Sequence, residues 1–269
     1  MKCGYIQFAP RLADVEQTIL DLQEIWPLVA AADLVVLPEL ANSGYNFVSK
    51  EQAMAAAEDP ANSVFIEALI AACIRYDFHV VTGFNERTPE GLYNTAFLIG
   101  KSGVMGRYRK LHLFMHEKDF FVPGDVGLPV FDVDGVRIGM LVCFDWAFPE
   151  VWRGLALQGA QVICHPSNLV LPGLAQRAIP AYSLTNRVFI ITANRIGTEG
   201  NLTFTGMSLA TDTLGQVLSS APETEPFSAV FDMDPQEAQK KQITPRNHLI
   251  NDRRPDVYAK YLLKTDRAR

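Results

Sequence analysis

Short apolar runs that end abruptly on a chemically active side chain restrict the fold of this 269-residue chain more than any other feature. One such run precedes each of Glu39, Lys110 and Cys143. These runs predict buried strands, and side chains at strand ends in open α/β folds point into the crevice above the sheet. The three residues are therefore candidate site residues. Taken singly, each also has a structural explanation: a core thiol, an internal salt bridge, or a solvated loop charge.

Segments with strand-like and helix-like periodicity alternate along the chain. Strands are predicted at residues 2–8, 34–37, 79–84, 95–99, 103–109, 161–164, 189–192 and 228–233, with hairpin turns at 101–103, 134–135 and 214–215. Helices are predicted at residues 14–31, 64–74, 151–157 and 175–186. Hairpins mixed with crossover helices favour two sheets over a single parallel sheet. From residue 235 the sequence becomes polar and predicts an extended tail.

Composition limits the partners and the compartment. The chain is 48% hydrophobic and 20% charged, as in ordinary globular domains, and its length suits one α/β domain. A net charge of -6, with dense basic character only at residues 260–269, argues against a nucleic-acid partner. Four scattered cysteines suit a reducing compartment. Without a secretory leader pattern or an apolar run near the roughly 20 residues of a membrane span, we expect a cytoplasmic protein with no membrane partner.

Four stretches in chain order carry a resemblance to a known family. They are Val-Leu-Pro-Glu-Leu around Glu39, Tyr-Arg-Lys-Leu-His-Leu around Lys110, Glu117 ahead of Pro-Gly-Asp, and Cys-Phe-Asp-Trp-Ala-Phe-Pro-Glu from Cys143. With these stretches the chain resembles the nitrilase superfamily, the carbon-nitrogen hydrolases. The resemblance extends over residues 5–233.

The resemblance also implies an organisation for the whole chain. It implies the α/β class with a four-layer α-β-β-α sandwich. Residues 1–234 are expected to form the hydrolase domain, and residues 235–269 a C-terminal tail that packs on a partner subunit. Family members pair through the helices that follow the nucleophile, so we expect a homodimer or a larger homo-oligomer.

The residue types and the family roles together give a reaction. A free thiol has a pKa of about 8.5, so Cys143 requires a base or a nearby cation to become a nucleophile. Glu39 is the expected general base, and Lys110 with the Phe144 backbone N–H is expected to stabilise the oxyanion. Attack on a small amide, an N-carbamoyl amine or a nitrile leads to a thioester, which water then hydrolyses. Glu117 is expected to position other groups without reacting, and no cofactor is required.

Further side chains are candidates to line the substrate pocket. They are Tyr45, Phe114, Trp146 and Asn168, although plain packing explains each of them equally well. Many amidase-like members carry Arg near the position of Trp146 and Ala147. The present residues therefore favour a more apolar pocket, with no clamp there for a substrate carboxylate.

Two alternatives compete with a thiol hydrolase. Cys164, His165, His112 and His116 contain metal-ligand atoms, but their spacing matches no metal motif, so we expect no metal site. A protein-interaction module that keeps the fold without the chemistry is the non-enzyme alternative. The joint presence of a nucleophile, a base and an ammonium favours the enzyme.

Overall fold

Two six-stranded sheets form the centre of the protein in a computed structural model that describes residues 1–263. The end of the predicted basic cluster and tail, residues 264–269, lies outside the described residues. The strands are β1 (Lys2–Gln7), β2 (Leu34–Val36), β3 (His79–Thr88), β4 (Gly91–Gly100), β5 (Gly103–Arg109), β6 (Val130–Val133), β7 (Val136–Met140), β8 (Val162–Ser167), β9 (Phe189–Asn194), β10 (Thr198–Glu199), β11 (Leu202–Thr203), β12 (Leu209–Thr211), β13 (Val217–Ser220), β14 (Phe227–Asp232), β15 (Gln242–Thr244) and β16 (Asn247–His248). The α-helices are α1 (Val15–Ile25), α2 (Lys50–Ala55), α3 (Val64–Tyr76), α4 (Glu117–Phe120), α5 (Pro149–Leu157), α6 (Leu174–Asn186) and α7 (Pro255–Leu262).

Each sheet combines parallel and antiparallel pairs. The first has the order β14-β1-β2-β3-β4-β5, with β1, β2 and β3 parallel. The second has the order β13-β12-β9-β8-β7-β6, with β7, β8 and β9 parallel. Parallel neighbours require crossover connections, which α1 and α3 supply for the first sheet and α5 and α6 for the second.

Alternation along the strands divides the first sheet between two cores. Leu34 and Val36 of β2 belong to the core shared with the second sheet, whereas Val35 belongs to the core beneath α1 and α3. A strand between two apolar layers must be apolar at every position, which explains the continuous runs in the sequence. Trp152 of α5 and Ile179 of α6 cover the second sheet from outside. The predicted four-layer α-β-β-α sandwich is confirmed.

Two elements differ from the sequence pattern for physical reasons. The helix predicted at residues 14–31 ends at Ile25, because Pro27 has no N–H to continue it, and a 3₁₀ turn follows at Trp26–Val29. The strand predicted at residues 79–84 continues to Thr88 and forms a long hairpin with β4. Its polar residue Glu86 is buried because Arg109 binds the carboxylate.

Residues 235–262 form defined elements, so the prediction of an extended tail is wrong for the described part of this segment. A 3₁₀ turn at Pro235–Gln239 leads into the β15–β16 hairpin and then into α7. The turn is anchored next to β8, since the Gln161 side chain donates a hydrogen bond to the Pro235 carbonyl. Within residues 1–263, no helix combines the length and the apolarity that crossing a membrane requires.

Candidate active site

Cys143 lies at a sharp turn between a strand and a helix. It is the third residue after β7 and opens the 3₁₀ turn Cys143–Ala147, which leads into α5. Its φ of 43° is in the left-handed region, which is unfavourable for a residue with a side chain. The Nε2–H of His165 on β8 donates to the Cys143 carbonyl at 2.9 Å and holds the turn in this conformation.

Asp145 stabilises the same turn from within through several hydrogen bonds. Its buried carboxylate accepts the backbone N–H of Val142 at 2.9 Å and the hydroxyl of Tyr108 at 2.7 Å. The other oxygen is 2.7 Å from the Nδ1 of His112. The indole N–H of Trp152 on α5 donates to the Asp145 carbonyl. Strands of both sheets therefore fix the turn that carries the thiol.

Glu39 follows β2 in a loop that lies directly against β3. The Gly83 N–H donates to the Pro38 carbonyl, and the Ala41 N–H donates to the Gly83 carbonyl. A Cβ at position 83 would lie 2.3 Å from the Glu39 Cα, so only glycine permits this approach. The buried Oε1 of Glu39 accepts from the Asn94 side chain at 2.7 Å.

Lys110 is held between the two carboxylates of the site. Its backbone N–H donates to the Asn94 carbonyl, and its carbonyl accepts from the N–H of Gly124. Its fully buried Nζ is 2.7 Å from Glu39 Oε1 and 2.7 Å from Glu117 Oε1. A lysine in this position cannot swing away, because both of its partners are buried with it.

Glu117 begins the short helix α4 and accepts two further hydrogen bonds. The Tyr45 hydroxyl donates to its Oε1 at 2.6 Å, and the Phe114 backbone N–H donates to its Oε2 at 3.2 Å. Together with the Lys110 ammonium, these donors surround the carboxylate. Glu117 therefore has a fixed orientation next to the ammonium.

Burial controls the protonation states of the cluster. It raises the pKa of Cys143 well above the ordinary value, with Glu39 adding to the shift and Lys110 opposing it. It also raises the pKa of Glu117 to about 7, against the attraction of Lys110. Burial lowers the pKa of Lys110, but the charges of Glu117 and Glu39 outweigh it and the pKa is raised. At neutral pH the site thus holds a thiol, an ammonium and a titrating Glu117. Because Cys143, Glu39, Lys110 and Glu117 influence one another, they form one site.

A narrow pocket opens beside the thiol, with an empty volume of about 230 Å³. Its lining residues are Phe114, Cys143, Phe144, Trp146, Asn168, Leu169, Val170 and Leu171. Three of the four predicted substrate-binding residues are in this lining, whereas the Tyr45 hydroxyl is bound to Glu117. Asn168 also donates its side-chain N–H to the Glu39 carbonyl. Their role in binding substrate stays a prediction.

The candidate metal ligands are dispersed. His112 binds Asp145, the exposed His116 is paired with Asp119, and His165 contacts the Cys143 carbonyl. Within residues 1–263, no group of three or more His, Cys, Asp or Glu side chains is arranged to hold a metal ion.

Sequence reasoning missed the supporting residues Asn94, Asp145 and His165. Asp145 lies in the stretch that begins at Cys143, and His165 was considered as a metal ligand, but their hydrogen bonds depend on the packing of two sheets. Asn94 carried no signal, since it lies within a strand that the apolar pattern only partly covered.

Fold and site define a class of protein: an α-β-β-α sandwich in which a buried thiol at a strand end lies beside two carboxylates and an ammonium. A family model described as carbon-nitrogen hydrolase matches residues 2–242. The chain therefore belongs to the carbon-nitrogen hydrolase family and is a single-domain member of the nitrilase superfamily.

Individual relatives agree with this assignment. A nitrilase of Pyrococcus abyssi is 39% identical over 260 residues, covering 96% of this chain and 99% of that protein. An (R)-stereoselective amidase of Pseudomonas sp is 35% identical over 246 residues, covering 90% of this chain and 88% of that protein. A structure of a Nesterenkonia sp. AN1 amidase variant has the acetamide moiety of fluoroacetamide added covalently at its active site cysteine. It has a TM-score of 0.79 at 28% identity, covering 97% of this chain and 96% of that one.

Proposed function

We propose that the protein hydrolyses short amides with an uncharged, apolar acyl group, giving the acid and ammonia through a thioester on Cys143. The observation that carries this proposal is the asymmetry of Glu39. Its Oε1 is bound by Lys110 and Asn94, whereas its buried Oε2 has no hydrogen-bond partner within residues 1–263. A buried carboxylate oxygen without a donor is costly, so its retention suits a group that receives protons during catalysis.

The first step forms the bond between Sγ and the amide carbon. Because burial keeps Cys143 protonated, the thiol proton must leave as the sulfur attacks, and Glu39 Oε2 is the acceptor. The carbonyl π electrons move onto oxygen. That oxyanion is stabilised by the Lys110 ammonium and the Phe144 backbone N–H, each such donor contributing about 3 to 4 kcal/mol.

The second and third steps use the same base twice. Glu39 returns the proton to the amide nitrogen, the carbon–nitrogen bond breaks, ammonia leaves, and a thioester remains. Glu39 then takes a proton from water, whose oxygen attacks the thioester carbon. The carbon–sulfur bond breaks, the acid leaves, and the sulfur regains its proton from Glu39. Atoms and charges balance without any cofactor.

Glu117 is proposed to act without exchanging protons in the cycle. Its carboxylate holds the Lys110 ammonium beside Glu39, and it can accept a hydrogen bond from the substrate amide. Because its pKa is about 7, it carries a full negative charge only above neutral pH. Activity should therefore fall as pH decreases through this range.

The pocket favours a small uncharged acyl group over the other substrates of the family. Phe114, Trp146 and Leu171 contribute apolar walls to the narrow pocket beside the thiol. Ureido acids and diamine derivatives carry a charge, and these apolar walls offer no group of opposite charge to bind it. Structures of the Nesterenkonia sp. AN1 amidase with butyramide and with acrylamide support short amides.

A direct test compares butyramide with 3-ureidopropionate and butyronitrile by ammonia release, with intact-mass detection of an acyl adduct on Cys143. We expect rapid turnover of butyramide and much slower turnover of the other two. Preferential release of ammonia from the nitrile or the ureido acid would contradict the assignment. If no compound is turned over and Cys143 resists alkylation, the interaction-module alternative is favoured.

The proposal includes the compartment and the assembly. We propose a cytoplasmic homodimer or larger homo-oligomer in which residues 235–269 contribute to a subunit contact. Four free cysteines support a reducing compartment. The surface that supports the assembly is formed by α5, α6 and the C-terminal segment.

A further inference from the structure

A buried ion pair outside the proposed chemistry joins Arg195, directly after β9, to Glu199 on β10. Both side chains are almost inaccessible, at 2% and 6% exposure. Arg195 also donates to the Pro10 carbonyl and lies over the Phe204 ring at 4.1 Å. Buried ion pairs are a poor source of stability compared with apolar packing, so this pair calls for another explanation.

Glu199 binds the backbone of the segment that carries Tyr45. Its Oε2 accepts the N–H of Tyr45 at 2.9 Å and the N–H of Asn46 at 2.8 Å. The preceding Gly44 has a φ of 74°, and a Cβ there would lie 2.9 Å from Glu199 Oε1. The segment is therefore shaped around this carboxylate, while Arg195 neutralises its charge.

Tyr45 connects this ion pair to the proposed active site. Its ring contacts Phe204 edge-on, with centroids 5.9 Å apart, and Phe204 carries the Arg195 guanidinium on its face. Its hydroxyl donates to Glu117 Oε1, the same oxygen that accepts from Lys110. A continuous series of contacts thus runs from Arg195 to the Lys110 ammonium.

We infer that Glu199, held by Arg195, is a positioning residue for the reaction: it fixes the Tyr45 backbone so that the Tyr45 hydroxyl stays on Glu117. This inference rests on the proposed function of Glu117 beside Lys110. Moving Tyr45 by even one ångström would break a hydrogen bond of 2.6 Å, and Glu117 would lose a donor that favours its charged form.

The consequence is a specific change in pH dependence. The Tyr45 hydrogen bond lowers the pKa of Glu117 and so opposes the effect of burial. Loss of this bond raises the Glu117 pKa, and the acidic limb of kcat moves to higher pH. Tyr45→Phe and Glu199→Gln should each move it upward by about half a pH unit or more. The double variant should match the larger single shift, because both changes act through one hydrogen bond.

The experiment measures kcat for butyramide against pH, together with the pH dependence of Cys143 alkylation by iodoacetamide. Tyr5→Phe is the matched control, since it also removes a buried hydroxyl, one that binds Ser219 on β13. Its acidic limb should stay at the wild-type position. If Glu199→Gln fails to fold, Arg195→Lys is tested with the same readouts and the same expected shift.

The outcomes separate this inference from the proposed function. A wild-type acidic limb in Glu199→Gln, beside a shifted limb in Tyr45→Phe, would overturn the positioning role and leave a structural ion pair. Additive shifts in the double variant would overturn it as well. Failure of the proposed function would instead appear as a wild-type protein that does not hydrolyse butyramide, while the alkylation profiles would still test the inference.

Discussion

The two oxygens of the Glu39 carboxylate have different surroundings. This difference supports different roles for them in the proposed reaction. Oε1 is held by Lys110 and Asn94, which fixes the group, while Oε2 has no partner within residues 1–263 and is the proton acceptor in the proposed mechanism. A neutral amide in place of this carboxylate keeps the shape and loses the base. Removal of the Lys110 ammonium loses the main oxyanion donor of the proposed mechanism.

Glu39→Gln and Lys110→Met should therefore each lower kcat for butyramide by at least about a hundredfold. Arg107→Met is a control for the loss of a cation on β5, because Arg107 is half-exposed and pairs with Glu86 at 3.4 Å. Its kcat should stay close to that of the wild type. A Glu39→Gln enzyme within tenfold of the wild type would require a different base.

The four thiols differ in environment and not in oxidation state. Cys3, Cys73 and Cys164 are core residues in the interior, where burial raises each pKa, to about 12 for Cys3 and Cys73. Cys143 is also buried, but it lines the pocket beside Phe144, and the charges of Glu39 and Lys110 both act on its thiol.

Cys143→Ala should abolish ammonia release while the far-UV spectrum and the melting temperature stay close to those of the wild type. Cys73→Ala, which removes a core thiol of equal size, should retain most of the activity, as should Cys3→Ala and Cys164→Ala. Residual wild-type turnover in Cys143→Ala would contradict the thioester mechanism.

At the scale of elements, β8 supports the nucleophile turn through a single neutral histidine. The Nε2–H of His165 donates to the Cys143 carbonyl, so Nδ1 is the acceptor for the Thr192 hydroxyl. Burial lowers the pKa of His165 from 6.5 to about 4. A lowered histidine pKa contributes stability that is present above pH 6.5 and is lost as pH falls through 4.

His165→Gln should remove this pH-dependent contribution, which amounts to about 3 kcal/mol at most. Urea unfolding at pH 7 and pH 4.5 measures it as the difference in free energy of unfolding between the two conditions. The wild type should lose more stability on acidification than the variant. Equal acid sensitivity of both proteins would contradict a neutral, buried His165.

The elements that end at the site were predictable because apolar runs and strand ends leave a local signature. Glu39, Lys110 and Cys143 were chosen in this way and Glu117 through the family resemblance, and the structure brings all four together. The supporting hydrogen bonds were not predictable, since they join residues that are distant in sequence. Glu86 and Arg109 illustrate the reason: each interrupts an apolar pattern, and only their pairing across the intervening strand β4 permits burial.

At the scale of the whole molecule, cations gather where α6 ends. Arg153 donates to the Thr185 carbonyl, and Lys241 donates to the carbonyls of Asn186 and Arg187. Burial lowers the pKa of Lys241 to about 8, and Arg153 and Arg187 act in the same direction. Within residues 1–263, Arg153 Nη1 and Arg187 Nε are buried without a hydrogen-bond partner.

This cationic surface also presents apolar side chains. Leu157 of α5, Leu184 of α6 and Val257 of α7 are between 41% and 46% exposed. A surface that combines exposed leucines with half-buried arginines is suited to a second protein surface bearing carboxylates. Glu150, exposed on α5, would supply such a carboxylate from a second copy across a two-fold axis.

Arg153→Glu should therefore convert a homodimer into a monomer in sedimentation velocity, because it places like charges against the carboxylates of the second copy. Activity should decrease when the assembly is lost, since α5 supports the nucleophile turn through the hydrogen bond from Trp152 to Asp145. Arg75→Glu makes the same charge change on α3, in the opposite outer layer, and should leave assembly and kcat unchanged. A fully active wild-type monomer would refute the coupling, and a dimeric, active chain ending at Met233 would show that the C-terminal segment is dispensable.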